Sequence, residues 1–99
     1  MPNNLQISWH GLDRSDAIEA HIRDKVAALE KIHPNITRCR VAVELPHKHK
    51  HHGKLYNVRI DLHVPHGEAV VNRDRHEDVY VALRDAFDAA RRQLADVVR

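Results

Sequence analysis

The chain of 99 residues has one cysteine, Cys39, so an intrachain disulfide framework is excluded, and a lone thiol suits a reducing cytosol. It has no apolar run near the roughly 18 residues needed to cross a bilayer. Its first residues, Met-Pro-Asn-Asn-Leu, lack the basic-then-apolar pattern of a secretory signal. There is no Gly-rich phosphate loop, no nucleophile motif and no His-Glu-x-x-His, so no assembled constellation points to catalysis. His76, Glu77 and Asp78 are adjacent and would diverge around a helix, and the two acids suit a helix N-terminus better than an acid–base pair. Repeats, low-complexity tails and linkers are missing too. With 42% hydrophobic and 30% charged residues, the expectation is one soluble, cytoplasmic domain spanning 1–99, with no enzymatic role and no cofactor.

A strong net charge is also lacking, since 16 Lys+Arg stand against 14 Asp+Glu, for +2. That average hides an uneven map. Residues 1–37 carry four basic and five acidic groups. Residues 38–59 carry Arg38, Arg40, Lys48, Lys50, Lys54 and Arg59 against Glu44 alone, a local +5. Residues 73–99 carry six of each sign. A concentrated basic patch matters more than net charge for attracting a polyanion. Histidine is clustered as well: of ten, His47, His49, His51 and His52 fall between Pro46 and Gly53. These imidazoles titrate near neutral pH, so the local field should vary with pH.

Apolar spacing gives the element order. Leu5, Ile7 and Trp9 alternate as a strand. Ser15 is an N-cap for a helix over 15–32, whose stripe is Ile18, Ile22, Val26 and Leu29 with Ala17, Ala27 and Ala28, and which Pro34 stops. Cys39, Val41, Val43 and Leu45 form the inward side of a strand over 37–45, which makes Cys39 a buried thiol rather than a ligand or nucleophile. The segment 46–53 is a hairpin loop. Tyr56 to Val64 is the next strand, Pro65-His66-Gly67 a turn, and 68–72 the last strand. A helix over 76–98 closes the chain, with Glu77 and Asp78 in its first turn. The result is an α+β order, β-α-β-β-β-α, in which a four-stranded mixed sheet carries both helices on one face. A right-handed first crossover makes strands one and two parallel.

On the other face, period-2 geometry places Arg38, Arg40, Arg59 and His63 together as a phosphate-contacting patch extended by Lys48, Lys50 and Lys54. The plainer reading is a solvated sheet face on which Glu44 and Asp61 pair some of the arginines. The His-rich loop is an exposed turn, a pH-sensitive cationic finger, or a metal site through His47, His49, His51 and His52. Arg23, Lys25 and Lys31 on the first helix, and Arg84, Arg91 and Arg92 on the second, also fit ordinary helix-surface charge, with Asp88 four residues from Arg84 and Arg92.

The segment Ser15 to Lys31, ending Leu-Glu-Lys, resembles the first helix of the short ribosome hibernation factors, also called ribosome-associated translation inhibitors or sigma-54 modulation proteins. His76-Glu77-Asp78-Val79-Tyr80, then Ala82 and Arg92-Gln93-Leu94, resembles their second helix, and the likeness covers essentially the whole chain. It implies a fold similar to a double-stranded-RNA-binding domain with an added first strand. It also implies a non-enzymatic factor that occupies the small-subunit cleft, contacts 16S ribosomal RNA, and blocks mRNA and tRNA sites under stress or in stationary phase. By position, Lys25, Lys31, Arg75 and Arg92 match the family's RNA-contacting residues. Arg38, Arg40, Lys48, Lys50, Lys54 and Arg59 are expected to support them. Ala28 and Glu19 depart from basic residues of some relatives, and the hairpin is more cationic, which is expected to move RNA-contacting charge toward the sheet and loop. The C-terminal domain by which long members pair ribosomes is expected to be absent. The resemblance further implies a monomer off the ribosome, with no membrane or DNA partner. Two other classes stand beside this reading: a His-rich metal buffer or sensor, and a protein that regulates a sigma factor by direct contact.

Overall fold

A computed structural model describes residues 4–45, 48–49 and 53–98, with the backbone alone described at 48–49, 53–54 and 73–75. Strand β1 (Leu5–His10) leads to helix α1 (Asp16–Ile32), then strand β2 (Arg38–Glu44). Two short strands, β3 (Lys48–His49) and β4 (Gly53–Lys54), pair antiparallel within the expected hairpin. Strands β5 (Tyr56–Val64) and β6 (Gly67–His76) and helix α2 (Val79–Val97) complete the chain. The main sheet has the order β1-β2-β5-β6, with β1–β2 parallel and the other pairs antiparallel. This is the β-α-β-β-β-α mixed sheet expected from the periodicity.

The core lies between the sheet and the helices. Ile22, Val41, Val43, Val58, Ile60, Leu62, Leu83 and Leu94 are fully buried, and no polar or charged residue among those described is buried. Strand alternation therefore acts as a sorter, sending apolar side chains to one face and charges to the other. Fully burying one Leu, Ile or Val contributes about 1.5–3 kcal/mol, so this continuous layer dominates stability.

Local chemistry sets the helix ends. Ser15 is extended, and its hydroxyl accepts from the Ile18 N–H at 3.2 Å. The α1 stripe is narrower than expected: Ile18, Ile22, Val26 and Leu29 are buried, whereas Ala17, Ala27 and Ala28 are exposed. A methyl offers little area, so the larger residues determine which face turns inward. The α2 helix begins at Val79 rather than 76. Asp78 is its N-cap, accepting from the Tyr80 N–H at 2.8 Å, and no acid occupies its first turn. The preceding strand takes the difference, running to His76 and placing Arg73 and Arg75 on β6. Ladder pairing with β5, Tyr56 opposite His76 across a register shift, outweighs the helical spacing of those polar residues. Gly11 turns the chain after β1 at φ 81°, where an added Cβ would collide with the Leu45 carbonyl oxygen.

Candidate RNA-binding surface

Two cation-bearing faces emerge from this fold. On the outer sheet face the β2–β5 register sets Arg38 opposite His63, Arg40 opposite Asp61, Ala42 opposite Arg59 and Glu44 opposite Asn57. The β5–β6 register adds Glu68 opposite His63. Arg38, Arg40 and Arg59 thus share one surface, as the alternation requires, but Glu44, Asp61 and Glu68 share it too. Arg59 Nε lies 3.4 Å from Asp61 Oδ1, and His63 Nε2 lies 3.7 Å from Glu68 Oε2. Glu44 accepts from the Asn57 amide instead of pairing with an arginine. Among the described side chains of this face, three arginines stand against three carboxylates.

The helix face differs. At the N-terminal end of α1 the cations are engaged: Arg14 donates to Glu19 at 2.9 Å, Arg23 donates to the other Glu19 oxygen at 3.1 Å, and Arg14 also meets Asp16. The hydrogen bond from Arg14, then that from Arg23, holds the Glu19 carboxyl below its ordinary value. Further along, Lys25 is half-buried and Lys31 exposed, and on α2 Arg91 and Arg92 are exposed. Among the described residues no ion pair or hydrogen bond engages the Lys25, Lys31, Asp88, Arg91 or Arg92 side chains. The expected i,i+4 pairing of Arg84 with Asp88 gives way to a 3.2 Å contact between Arg84 Nε and its neighbour Asp85, which also faces His76 at 3.7 Å.

The structure therefore brings Arg38, Arg40 and Arg59 together on the sheet, and carries Lys25, Lys31 and Arg92 on the helices. Arg75 stands on β6, and Lys48, His49 and Lys54 on the hairpin ribbon, each placed by backbone alone. His47, Lys50, His51 and His52 lie outside the described residues. Among the described residues no three His, Cys, Asp or Glu side chains converge as metal ligands. Burial pushes the Cys39 thiol up to about 12, far from the thiolate form a nucleophile needs.

Sequence reading missed a groove between the helices. Lys25, Ala28, Leu29 and Ile32 of α1 face Phe87, Asp88 and Arg91 of α2 around about 130 Å³ of space. Its signal was present in part: Ile32 follows Leu29 by three residues, so it continues the apolar stripe, yet it is 58% exposed. What no linear pattern supplies is the second wall, contributed by residues more than fifty positions further along.

The comparisons with known proteins agree with this architecture. A ribosome hibernation promoting factor from Azotobacter vinelandii is 33% identical over 90 residues, which cover 91% of this chain and 78% of that protein. A ribosomal subunit interface protein from Coxiella burnetii superposes with a TM-score of 0.79 over 93% of each chain at 15% identity. The N-terminal domain of Protein Y from Thermus thermophilus superposes with a TM-score of 0.77 at 21% identity, over 94% of this chain and 97% of that one. At such identities the two structures speak for the fold alone. The family model described as sigma 54 modulation protein / S30EA ribosomal protein matches residues 5–98, from the start of β1 to the C-cap of α2, and this chain belongs to that family of ribosome-associated proteins.

Proposed function

We propose that this protein is a cytoplasmic hibernation factor that binds 16S ribosomal RNA in the small-subunit cleft and inhibits translation by occluding the mRNA and tRNA sites. The observation that carries the reading is the family match over residues 5–98, on a fold whose helices present Lys25, Lys31, Arg91 and Arg92 without carboxylate partners among the described residues. The mechanism is steric and needs no catalytic group. Cations of both helices, with Arg75 and the hairpin lysines Lys48, Lys50 and Lys54, neutralise phosphates, and displaced counterions supply much of the driving force. Structured RNA is recognised by shape and backbone, so base-by-base readout over the whole footprint is not required. Arg38, Arg40 and Arg59 play a supporting part: Arg59 lies against Asp61, and Glu44, Asp61 and Glu68 share their face.

Cosedimentation with 30S and 70S particles across a salt series tests this. Binding at low salt should weaken linearly in log–log form, with a slope near one for each phosphate neutralised, roughly 0.9 on duplex. In a translation extract, the protein should inhibit only at concentrations where it cosediments. No cosedimentation at low salt would overturn the reading.

A further inference from the structure

The α1–α2 groove is too small for a cofactor, at about 130 Å³ against the roughly 300–1,000 Å³ of small-molecule pockets. It has room for one flat nucleobase. Its floor is apolar, built by Ala28, Leu29, Ile32 and Phe87, and the exposure of Ile32 leaves apolar surface in water that a stacked ring would cover. Its rim is ionic. Lys25 and Arg91 supply two cations on opposite walls, suited to phosphates on either side of an inserted base.

Asp88 supplies the discriminating feature. A carboxylate on the wall of a polyanion-binding groove repels phosphate, unless its oxygens accept from a donor on the ligand. Among the described residues no cation or hydrogen-bond donor engages it. The Watson–Crick edge of guanine presents two adjacent donors, N1–H and the N2 amino group, matched to two carboxylate oxygens. Adenine and cytosine place an acceptor nitrogen beside their one amino group, and uracil flanks its single N–H with carbonyls. Unstacked bases of single-stranded RNA are commonly read on this edge.

We propose that the groove takes an unstacked guanine of single-stranded RNA, its ring on the Ala28–Ile32–Phe87 floor, its Watson–Crick edge on Asp88, and the adjoining phosphates on Lys25 and Arg91. This deepens the RNA-binding reading above and rests on it.

Fluorescence anisotropy with the full chain at low salt tests the assignment, using a short uridine run and the same run carrying one central guanine, adenine or inosine. The guanine oligonucleotide should bind about tenfold more tightly than the all-uridine one, as one bidentate contact provides. Inosine, lacking the N2 amino group, should fall between them, and adenine should match uridine. Asp88→Asn should abolish the guanine preference while keeping uridine-run binding. Ala28→Leu, which fills the groove without altering charge, should abolish it too, with an unchanged circular dichroism spectrum. Equal affinity for guanine and uridine oligonucleotides in the wild type, or a preference that survives Ala28→Leu, overturns the proposal. Cosedimentation separates the two readings. Wild-type protein that binds ribosomes but shows no guanine preference sinks the groove assignment alone. A groove-dependent guanine preference without ribosome binding supports the groove and sinks the ribosomal reading.

Discussion

The outer sheet face and the helix face both carry cations and differ in how their acids are placed among them. On the sheet, pairing register places Asp61 opposite Arg40 and beside Arg59, and Glu68 opposite His63. On the helices, Glu19 serves both Arg14 and Arg23 on the α1 side, and Asp85 meets Arg84 on α2. Lys25, Lys31, Arg91 and Arg92 are left facing solvent or the interhelical groove. A cation already paired releases little on meeting a phosphate, because the new ion pair replaces an old one. For the proposed RNA contact, the placement of carboxylates therefore matters as well as the count of cations.

The comparison breaks most directly by reversing three charges at a time, with the hairpin lysines left in place in both variants. Lys25, Lys31 and Arg92, each →Glu, should weaken ribosome cosedimentation on the order of a hundredfold or more at low salt and flatten the salt slope. Arg38, Arg40 and Arg59, each →Glu, should cost no more than about tenfold. A larger loss from the sheet variant would invert the assignment.

The helix face depends on its caps. Ser15→Ala and Asp78→Ala should each lower stability by about 1 kcal/mol, measured by urea denaturation, since each side chain satisfies an otherwise unpaired backbone N–H. Removing the acid at the centre of the sheet face should act in the opposite sense. Asp61→Asn is expected to strengthen binding to a polyanion by about two- to threefold at low salt, an effect that 0.5 M salt erases.

The smallest effect concerns Glu19. Its folded pKa lies below the ordinary 4.5, so the stability it contributes is present above that value and is lost as pH falls through the lower folded one. Glu19→Gln should make the decline of Tm below pH 4.5 shallower. By releasing Arg23, while Arg14 keeps Asp16, it should also tighten polyanion binding slightly.

Most of the fold was legible along the chain. Period-2 alternation from Cys39 to Leu45 and from Tyr56 to Val64 marked buried strands, and Ile18, Ile22, Val26 and Leu29 marked a helix, because burial on one face leaves a local periodic imprint. The start of α2 lies three residues beyond where the helical spacing puts it. His76-Glu77-Asp78 is polar throughout, so nothing local separates a strand end from a first helical turn; the ladder with β5 and the Asp78 cap make that distinction. The candidate cations could be enumerated from the sequence, and the face of each strand residue followed from its parity.

Whether a given arginine is paired could not be known that way. Asp61 stands opposite Arg40 by a register set by the whole hairpin yet pairs with Arg59, and the groove exists because α1 and α2 pack side by side, bringing Lys25 and Ala28 to Phe87, Asp88 and Arg91. Periodicity is local and survives in one dimension, so the chain's order of letters settles which elements form and which side of each is apolar. Charge pairing and concavity depend on distances between segments far apart in the chain, and those distances are created when the sheet and helices close over their shared core.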